Sequence, residues 1–280
     1  MAPYRVTPLL ATATVRVLDA VCTGDCDHDP GVDCAHSTYL AFPYRGLYQR
    51  QAGDDVAVAE PNQVVFFNAG EPFRITHPVP GGDASLLLFI DPHLLRELPR
   101  PEMLCPGDPV RFTRQRLRID PRATALTAML RYSLLTDTAE PLEAESLALT
   151  LAQRALGPRT SHAADARHGQ QRLVDRIKLA LSADLSRRWT LAEIAAEVGG
   201  SPVYLTQLFR QVEGVPLYRY QTRLRLARAL DLIAEYEDLT ALGLELGFSS
   251  HSHFTAAFRQ AYGRSPTEFR QSVLKRPGAG

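Results

Sequence analysis

From Thr38 to Ile90 the apolar residues fall in short blocks: TYLAFPYRGLYQR, DDVAVAE, NQVVFF, FRITH and ASLLLFI. Gly46, Gly53, Pro61-Asn62, Gly70 and Pro80-Gly81-Gly82 punctuate them. Short β-branched and aromatic runs between turn formers predict strands of an antiparallel sandwich or barrel, and residues 12 to 118 read as β-rich. Beyond them the period changes. Arg122 to Leu135 and Leu142 to Leu156 carry leucines at helical spacing, joined by Asp137–Pro141 and ended by Gly157-Pro158. They predict a helical hairpin. RTSHAADARHGQQ then reads as a polar linker.

The last hundred residues repeat at an offset of 49. GGSPVYLTQLFRQVEG (199–214) aligns with FSSHSHFTAAFRQAYG (248–263): Ser201 falls on Ser250, Leu205 on Phe254, Phe209-Arg210-Gln211 on Phe258-Arg259-Gln260, and Gly214 on Gly263. Each copy reads as two short helices around a glycine-containing turn, the helix-turn-helix layout. In the first, Thr190 and Glu193 form a capping box, and Leu191, Ile194, Ala195 and Val198 make one apolar face. Gly199-Gly200 breaks that helix. Ser201 caps the next, Pro202 opens it and Gly214 stops it. In the second copy Leu239, Leu242 and Leu246 lead to Gly247, a helix from about His251 to Tyr262 follows, and Ser265-Pro266-Thr267-Glu268 caps a last one. Between the units PLYRYQTRLRLARALDLIAEY predicts a connecting helix of about 20 residues, roughly 30 Å long. Leu217, Tyr220, Leu224, Ala227 and Leu230 form its apolar face, and Arg219, Arg223, Arg225 and Arg228 decorate the others. One DNA turn is roughly 34 Å, so such a connector suits two helices in successive major grooves.

These residues resemble the DNA-binding domain of the AraC/XylS family of bacterial transcription regulators. The resemblance rests on WTLAEIAAEVGGSPVYLTQLFRQVEG, YRYQTRLRLARALDLI and LGFSSHSHFTAAFRQAYGRSPTEFR, within residues 170 to 275. It implies that Val203, Thr206 and Gln207 of the first unit, and Ser252, Thr255 and Ala256 of the second, face base edges. Glutamine pairs with adenine and the Val and Thr methyls pack on thymine, but neither set holds arginine, the commonest reader of guanine. Arg210, Arg223 and Arg259, with His251 and His253, read as phosphate contacts that position without specifying.

The chain has 280 residues, 45% of them hydrophobic, and 31 basic residues balance 31 acidic ones. That length suits one large or two ordinary domains. From Gln170 onward 15 basic residues face 11 acidic ones, against 16 and 20 before it, so the end expected to meet a polyanion is the basic one. No apolar run reaches the roughly 18 residues of a membrane span, and the N-terminus lacks a signal-peptide core. A cytoplasmic protein with reduced cysteines is expected.

The first part, mostly through VVFFNAGEPFRITHPVPGGD, resembles the cupin-like effector domain of the same family. The expected fold is therefore α+β: a cupin-like antiparallel barrel or sandwich (1–120), a helical hairpin (121–157), a linker (158–171) and an all-α tandem helix-turn-helix domain (172–275). The resemblance implies promoter DNA, RNA polymerase and a small effector as partners. Leu126, Met129, Leu130 and Leu134, with Leu147, Leu149 and Leu151, leave more apolar surface than a hairpin hides, which predicts a homodimer. Catalysis is not expected. The β region has no H-x-H-x-E metal motif, only His77 remains among its runs after His36, and His93 falls outside them. No nucleophile elbow, phosphate loop or dinucleotide fingerprint appears.

One segment stands outside this scheme. CTGDCDHDPGVDCAH, residues 22 to 36, packs three of four cysteines and two of eight histidines into one loop. Three thiolates and an imidazole are the ligand set of tetrahedral zinc, and also suit another thiophilic ion such as Cu(I). The expected ligands are Cys22, Cys26, Cys34 and either His36 or His28, with Cys105 a bystander. Asp25, Asp27, Asp29 and Asp33 attract a cation but raise thiol pKa values, which weighs against the alternative of a redox-responsive regulator using the three thiols. A further alternative is a DNA-binding scaffold with no role in transcription.

Overall fold

Successive residues of the central strands face two different cores. In the computed structural model, which describes residues 4–24, 31–107, 109–157 and 168–274, Val15, Val17, Leu40, Phe42, Val64, Phe66, Leu86 and Leu88 belong to one buried cluster. Ala20, Ala41, Val65, Phe67 and Leu87 belong to another. The pleat sends neighbours to opposite faces, and both faces here are covered. This explains why these strands read as continuous apolar blocks rather than alternating ones.

The chain divides into two compact units, Met1–Thr160 together with Gln271–Gly280, and Ser161–Arg270. The first is built on β1 (Tyr4–Ala11), β2 (Val15–Cys22), β3 (Asp33–Cys34), β4 (Tyr39–Gly46), β5 (Tyr48–Ala52), β6 (Asp55–Ala59), β7 (Gln63–Phe67), β8 (Pro72–Thr76), β9 (Asp83–Ile90) and β10 (Arg116–Arg118). They form a six-stranded sheet, β1-β2-β9-β4-β7-β10, and a four-stranded sheet, β3-β8-β5-β6. All the pairings are antiparallel. The α+β arrangement is the expected one.

The strand boundaries differ from the expected ones in two places. TYLAFPYRGLYQR is two strands, because Gly46 turns the chain at φ 63° and a Cβ there would lie 2.0 Å from the Gly82 carbonyl oxygen. The β region also starts earlier, at Tyr4. Pro8 hides β1 from a reading of the sequence, but β1 is an edge strand, where proline is tolerated, and its register shifts between Pro8 and Leu10.

After β9 come a short helix, α1 (Pro92–Glu97), a 3-10 turn at Pro101–Met103, and the hairpin α2 (Pro121–Leu135) and α3 (Pro141–Leu156). Asp120 caps α2 through the Ala123 N–H and accepts from Arg154 of α3 at 2.9 and 2.6 Å, so one carboxylate fixes both helices. The hairpin belongs to the core of its own unit. Leu130, Ala148, Leu151, Ala152, Ala155 and Leu156 are buried with the six-stranded sheet. Leu126, Leu134, Leu147 and Leu149 pack on the same cluster half-buried, while Leu135 and Leu142 are exposed. The sheet has a second apolar face to cover, and these leucines cover it.

The second unit holds α4 (His168–Ala183), α5 (Leu191–Val198), α6 (Pro202–Glu213), α7 (Leu217–Leu232), α8 (Leu239–Glu245), α9 (His251–Tyr262) and, as far as Arg270, α10 (Pro266–Leu274). α4 begins four residues inside the expected linker, whose residues 158–167 lie outside the described part. Gln171 donates to Asp175 one turn on, which supports that extension. The connector α7 is shorter than expected, 16 residues ending at Leu232, or about 24 Å. Its expected apolar face, Leu217, Tyr220, Leu224, Ala227 and Leu230, is buried. No helix among the described residues is long and apolar enough to cross a membrane.

Candidate nucleic-acid interface

The two repeats are alike down to their caps. Ser201 and Ser250 accept from the N–H three residues on, at 3.2 and 3.1 Å. Gly214 and Gly263 end α6 and α9 in the left-handed conformation at φ 68° and 79°. Both helices have 12 residues. Leu205, Leu208, Phe209 and Val212 bury one side of α6, and Phe254, Phe258 and Tyr262 bury the matching side of α9. In each unit the preceding helix packs on this side; Gly243 of α8 lets the Phe254 ring approach to 3.0 Å of where a Cβ would be. Burying one stripe leaves the opposite stripe to solvent, which is how a helix is offered to a groove.

The structure places Val203, Gln207 and Arg210 on the exposed side of α6, with Tyr204 beside them. Val203 is 68% exposed. Thr206 is half-buried and its hydroxyl donates to the Pro202 carbonyl at 2.9 Å, so the proton is already committed. On α9, His251, Ser252, His253, Ala256 and Arg259 are exposed and Thr255 is half-buried. His251 spans two hydroxyls, Thr240 on one ring nitrogen and Thr255 on the other, each at 3.3 Å. His253 pairs with the Ser249 hydroxyl at 3.0 Å, and its ring meets Phe248 edge-on at 5.4 Å. Both histidines are thus anchored at the start of α9. Arg223 is half-buried on α7.

Arg225 has a role the sequence did not reveal. It is buried, and its guanidinium donates to the carbonyls of Leu185, Ser186, Arg187 and Gly247 at 2.7 to 3.3 Å. Burial, then the nearby Arg188, holds its pKa below the ordinary arginine value, while Asp184 opposes them. One residue of α7 therefore ties the loop before α5 to the turn before α9. Gly247 serves the same junction at φ 84°, since a Cβ there would lie 2.3 Å from the Ser186 carbonyl oxygen. The expected capping boxes are both present. Thr190 and Glu193 bond reciprocally, as do Ser265 and Glu268. Hydrogen bonds from Arg187 and Thr190 hold the Glu193 carboxyl down at about 2.

On the β unit the residues of the cysteine-rich loop separate. Cys22 is buried at the end of β2, while Cys34 is exposed and its thiol points to the Ala35 carbonyl at 3.9 Å. His36 is exposed and lines a cavity of about 340 Å³ with Thr12, Arg16, Thr38, Phe89 and Asp91. Cys26 and His28 lie outside the described residues. Among the described residues, the donors close enough to share an ion are Cys22, His77 and Asp83; Cys34 and His36 do not join them.

A family described as "Helix-turn-helix domain" matches residues 194–272. The transcriptional activator RhaR of Klebsiella pneumoniae is 35% identical over 103 residues, 36% of this chain and 37% of RhaR. The transcriptional regulator GadX of Escherichia coli is 33% identical over 113 residues, 40% of this chain and 41% of GadX. This chain thus spans about two fifths of the length of those relatives. The virulence regulon activator VirF of Yersinia enterocolitica is 24% identical over 246 residues, 85% of this chain and 82% of VirF. Among solved structures, a regulator of Chromobacterium violaceum with an AraC-type DNA-binding domain is 30% identical, covering 40% of this chain and all of that one at a TM-score of 0.37. The helical unit, with its two capped helix-turn-helix units, is thus similar to the DNA-binding regions of AraC-type transcription regulators.

Proposed function

We propose that this chain is a sequence-specific DNA-binding regulator of transcription, without enzymatic activity, whose β unit receives the signal. The observation that carries this is the pair of matched units, each presenting one exposed helix face over a buried stripe. Its partners are promoter DNA and RNA polymerase. Two of the relatives named above are described as activators, which favours activation here. Val203, Thr206 and Gln207 read bases in the first unit. In the second Ser252, Thr255 and Ala256 are small, so α9 contributes mainly through Arg259, His251, His253 and shape. The test is a footprint on genomic fragments the protein selects, followed by transcription in vitro from the same fragments. Protection without any change in transcript would leave the scaffold reading instead.

The β unit, read as the cupin-like effector domain, offers two places for a signal: the cavity beside His36 and the region of Cys22. A small molecule suits the first, a thiophilic ion the second. A redox signal through Cys22, Cys26 and Cys34 is the weaker reading, because Cys22 is buried and reactive thiols are accessible ones. A homodimer through α2 and α3 is supported by Leu142, 75% exposed, and Leu135, 46% exposed, on the hairpin. A monomer by light scattering at tens of micromolar would remove that part of the proposal.

A further inference from the structure

Three donors of unlike chemistry meet at one end of the β unit. Cys22 closes β2, Asp83 opens β9, and the two are register partners in the antiparallel ladder. Residues so paired project to the same face. His77 follows the last residue of β8, in the other sheet. Its Nε2 lies 2.5 Å from the Asp83 carboxylate. One donor atom from each of the three residues falls within 4.8 Å of the others. Cys22 is 5% and Asp83 8% exposed, and the His77 side chain is 14% exposed.

The backbone holds this corner tightly. A Cβ on Gly82 would lie 2.1 Å from the Cys22 carbonyl oxygen, and one on Gly24 would lie 2.6 Å from the Gly82 nitrogen. Both glycines have positive φ, so other residues are excluded by space and by conformation. The Gly24 N–H donates to the Cys22 sulfur at 3.4 Å.

We propose that Cys22, His77 and Asp83 form a zinc-binding site. Thiolate, imidazole and carboxylate are the three donor types zinc accepts, and three protein ligands leave a fourth position for water. Thiolate and carboxylate together carry two negative charges, which a divalent cation neutralises where an unpaired charge is costly. The sulfur weighs against magnesium and calcium, and the carboxylate, a hard oxygen donor, weighs against Cu(I). Binding releases the Cys22 thiol proton to solvent and sets the metal in place of any proton shared by His77 and Asp83. The ion links β2 and β9 of one sheet to the segment after β8 of the other. Cys22 is common to this set and to the one expected from the loop, but His77 and Asp83 lie far from that loop in sequence. The site stands independently of DNA binding, because its test reads metal rather than DNA.

The test uses the full chain, stripped with chelator and reductant, then titrated with Co²⁺ and competed with Zn²⁺. One equivalent of Co²⁺ should give a thiolate-to-metal charge-transfer band that Zn²⁺ erases. Cys22→Ser should abolish the band. His77→Gln and Asp83→Asn should each weaken zinc binding by more than about tenfold, since losing even an outer-shell partner costs that much. Cys34→Ser and His36→Ala should leave it unchanged. If circular dichroism shows that Asp83→Asn or Cys22→Ser does not fold, His77→Gln decides alone, because His77 lies outside the strands and outside the apolar clusters. The proposal is overturned by a wild-type protein with no band, or by a band that survives His77→Gln and Asp83→Asn. A band lost with Cys34→Ser would overturn it in favour of the cysteine-rich loop.

Discussion

Lys178 of α4 and Glu213, the last residue of α6, form an ion pair at 2.7 Å with side chains 0% and 2% exposed. The Lys178 ammonium also faces the Tyr220 ring of α7 at 5.8 Å. The presented helix of the first unit is therefore anchored at its C-terminal end by a buried charge pair. Removing one partner leaves the other charge buried and unpaired, which costs about 3–5 kcal/mol. Lys178→Met should destabilise the helical unit on that scale, and Lys178→Met with Glu213→Leu should recover most of the loss. Trp189, the only tryptophan in the chain, packs on the same cluster, so its fluorescence during urea unfolding reports this unit. A single variant as stable as wild type would show that the pair contributes little.

Gln207 and Arg210 are both exposed on α6, but they should fail differently. Gln207→Ala should cost roughly 1–3 kcal/mol at a cognate site and relax preference at one base position. Arg210→Ala should weaken binding to all sequences alike and flatten the salt dependence. Titrations of cognate and random duplexes at several salt concentrations separate the two. Equal losses on both duplexes for Gln207→Ala would reject its assignment as a base reader.

Arg225 should behave as a structural residue although it sits on an arginine-rich helix. Hydrogen bonds to charged groups contribute about 1.5–3 kcal/mol each and are not additive. Arg225→Gln keeps some donors but cannot reach four carbonyls, so it should lower stability by at least about 2 kcal/mol. The salt slope of DNA binding, measured below the unfolding transition, should stay at the wild-type value. A shallower slope with unchanged stability would make Arg225 a phosphate contact instead.

The Thr190–Glu193 capping box predicts an acid dependence with a definite sign. Glu193 ionises at about 2 in the folded chain against an ordinary 4.5, so folding favours its charged form. A depressed carboxyl contributes stability above its unfolded pKa and loses it as pH falls through the folded value. Stability of the helical unit should therefore drop between pH 4.5 and about 2. Glu193→Gln should remove this component. Arg187, which also bonds Glu193, lies 3.9 Å over the Trp189 ring, so Trp189 fluorescence should follow the change. An identical acid profile for wild type and Glu193→Gln would refute the assignment.

Local rules carried the helical half. Serine caps, capping boxes and left-handed glycines act through residues three or four apart, so WTLAEIAAEVGGSPVYL already contains its own turn. The repeat at Ser201 and Ser250 then identified the unit twice. The β unit was legible as a class of fold because its blocks and glycines alternate. Its first strand was not, because Pro8 reads as a breaker until the strand proves to be an edge.

The sequence by itself determined the two capped units, the exposed stripe that includes Gln207 and Arg210, and the presence of a β region ahead of a hairpin. Tertiary structure alone decided which polar groups meet. Lys178 finds Glu213, Arg225 finds four carbonyls from two separate segments, and Cys22 finds His77 and Asp83 rather than Cys34 and His36. It also decided that Leu130 and Leu151 serve their own unit's core. The reason is the same in each case. A cap or a turn is closed by neighbours along the chain, whereas a buried charge, a ligand set or the second face of a sheet is satisfied by whichever residue folding brings within about 3 to 4 Å, and sequence spacing does not encode that distance.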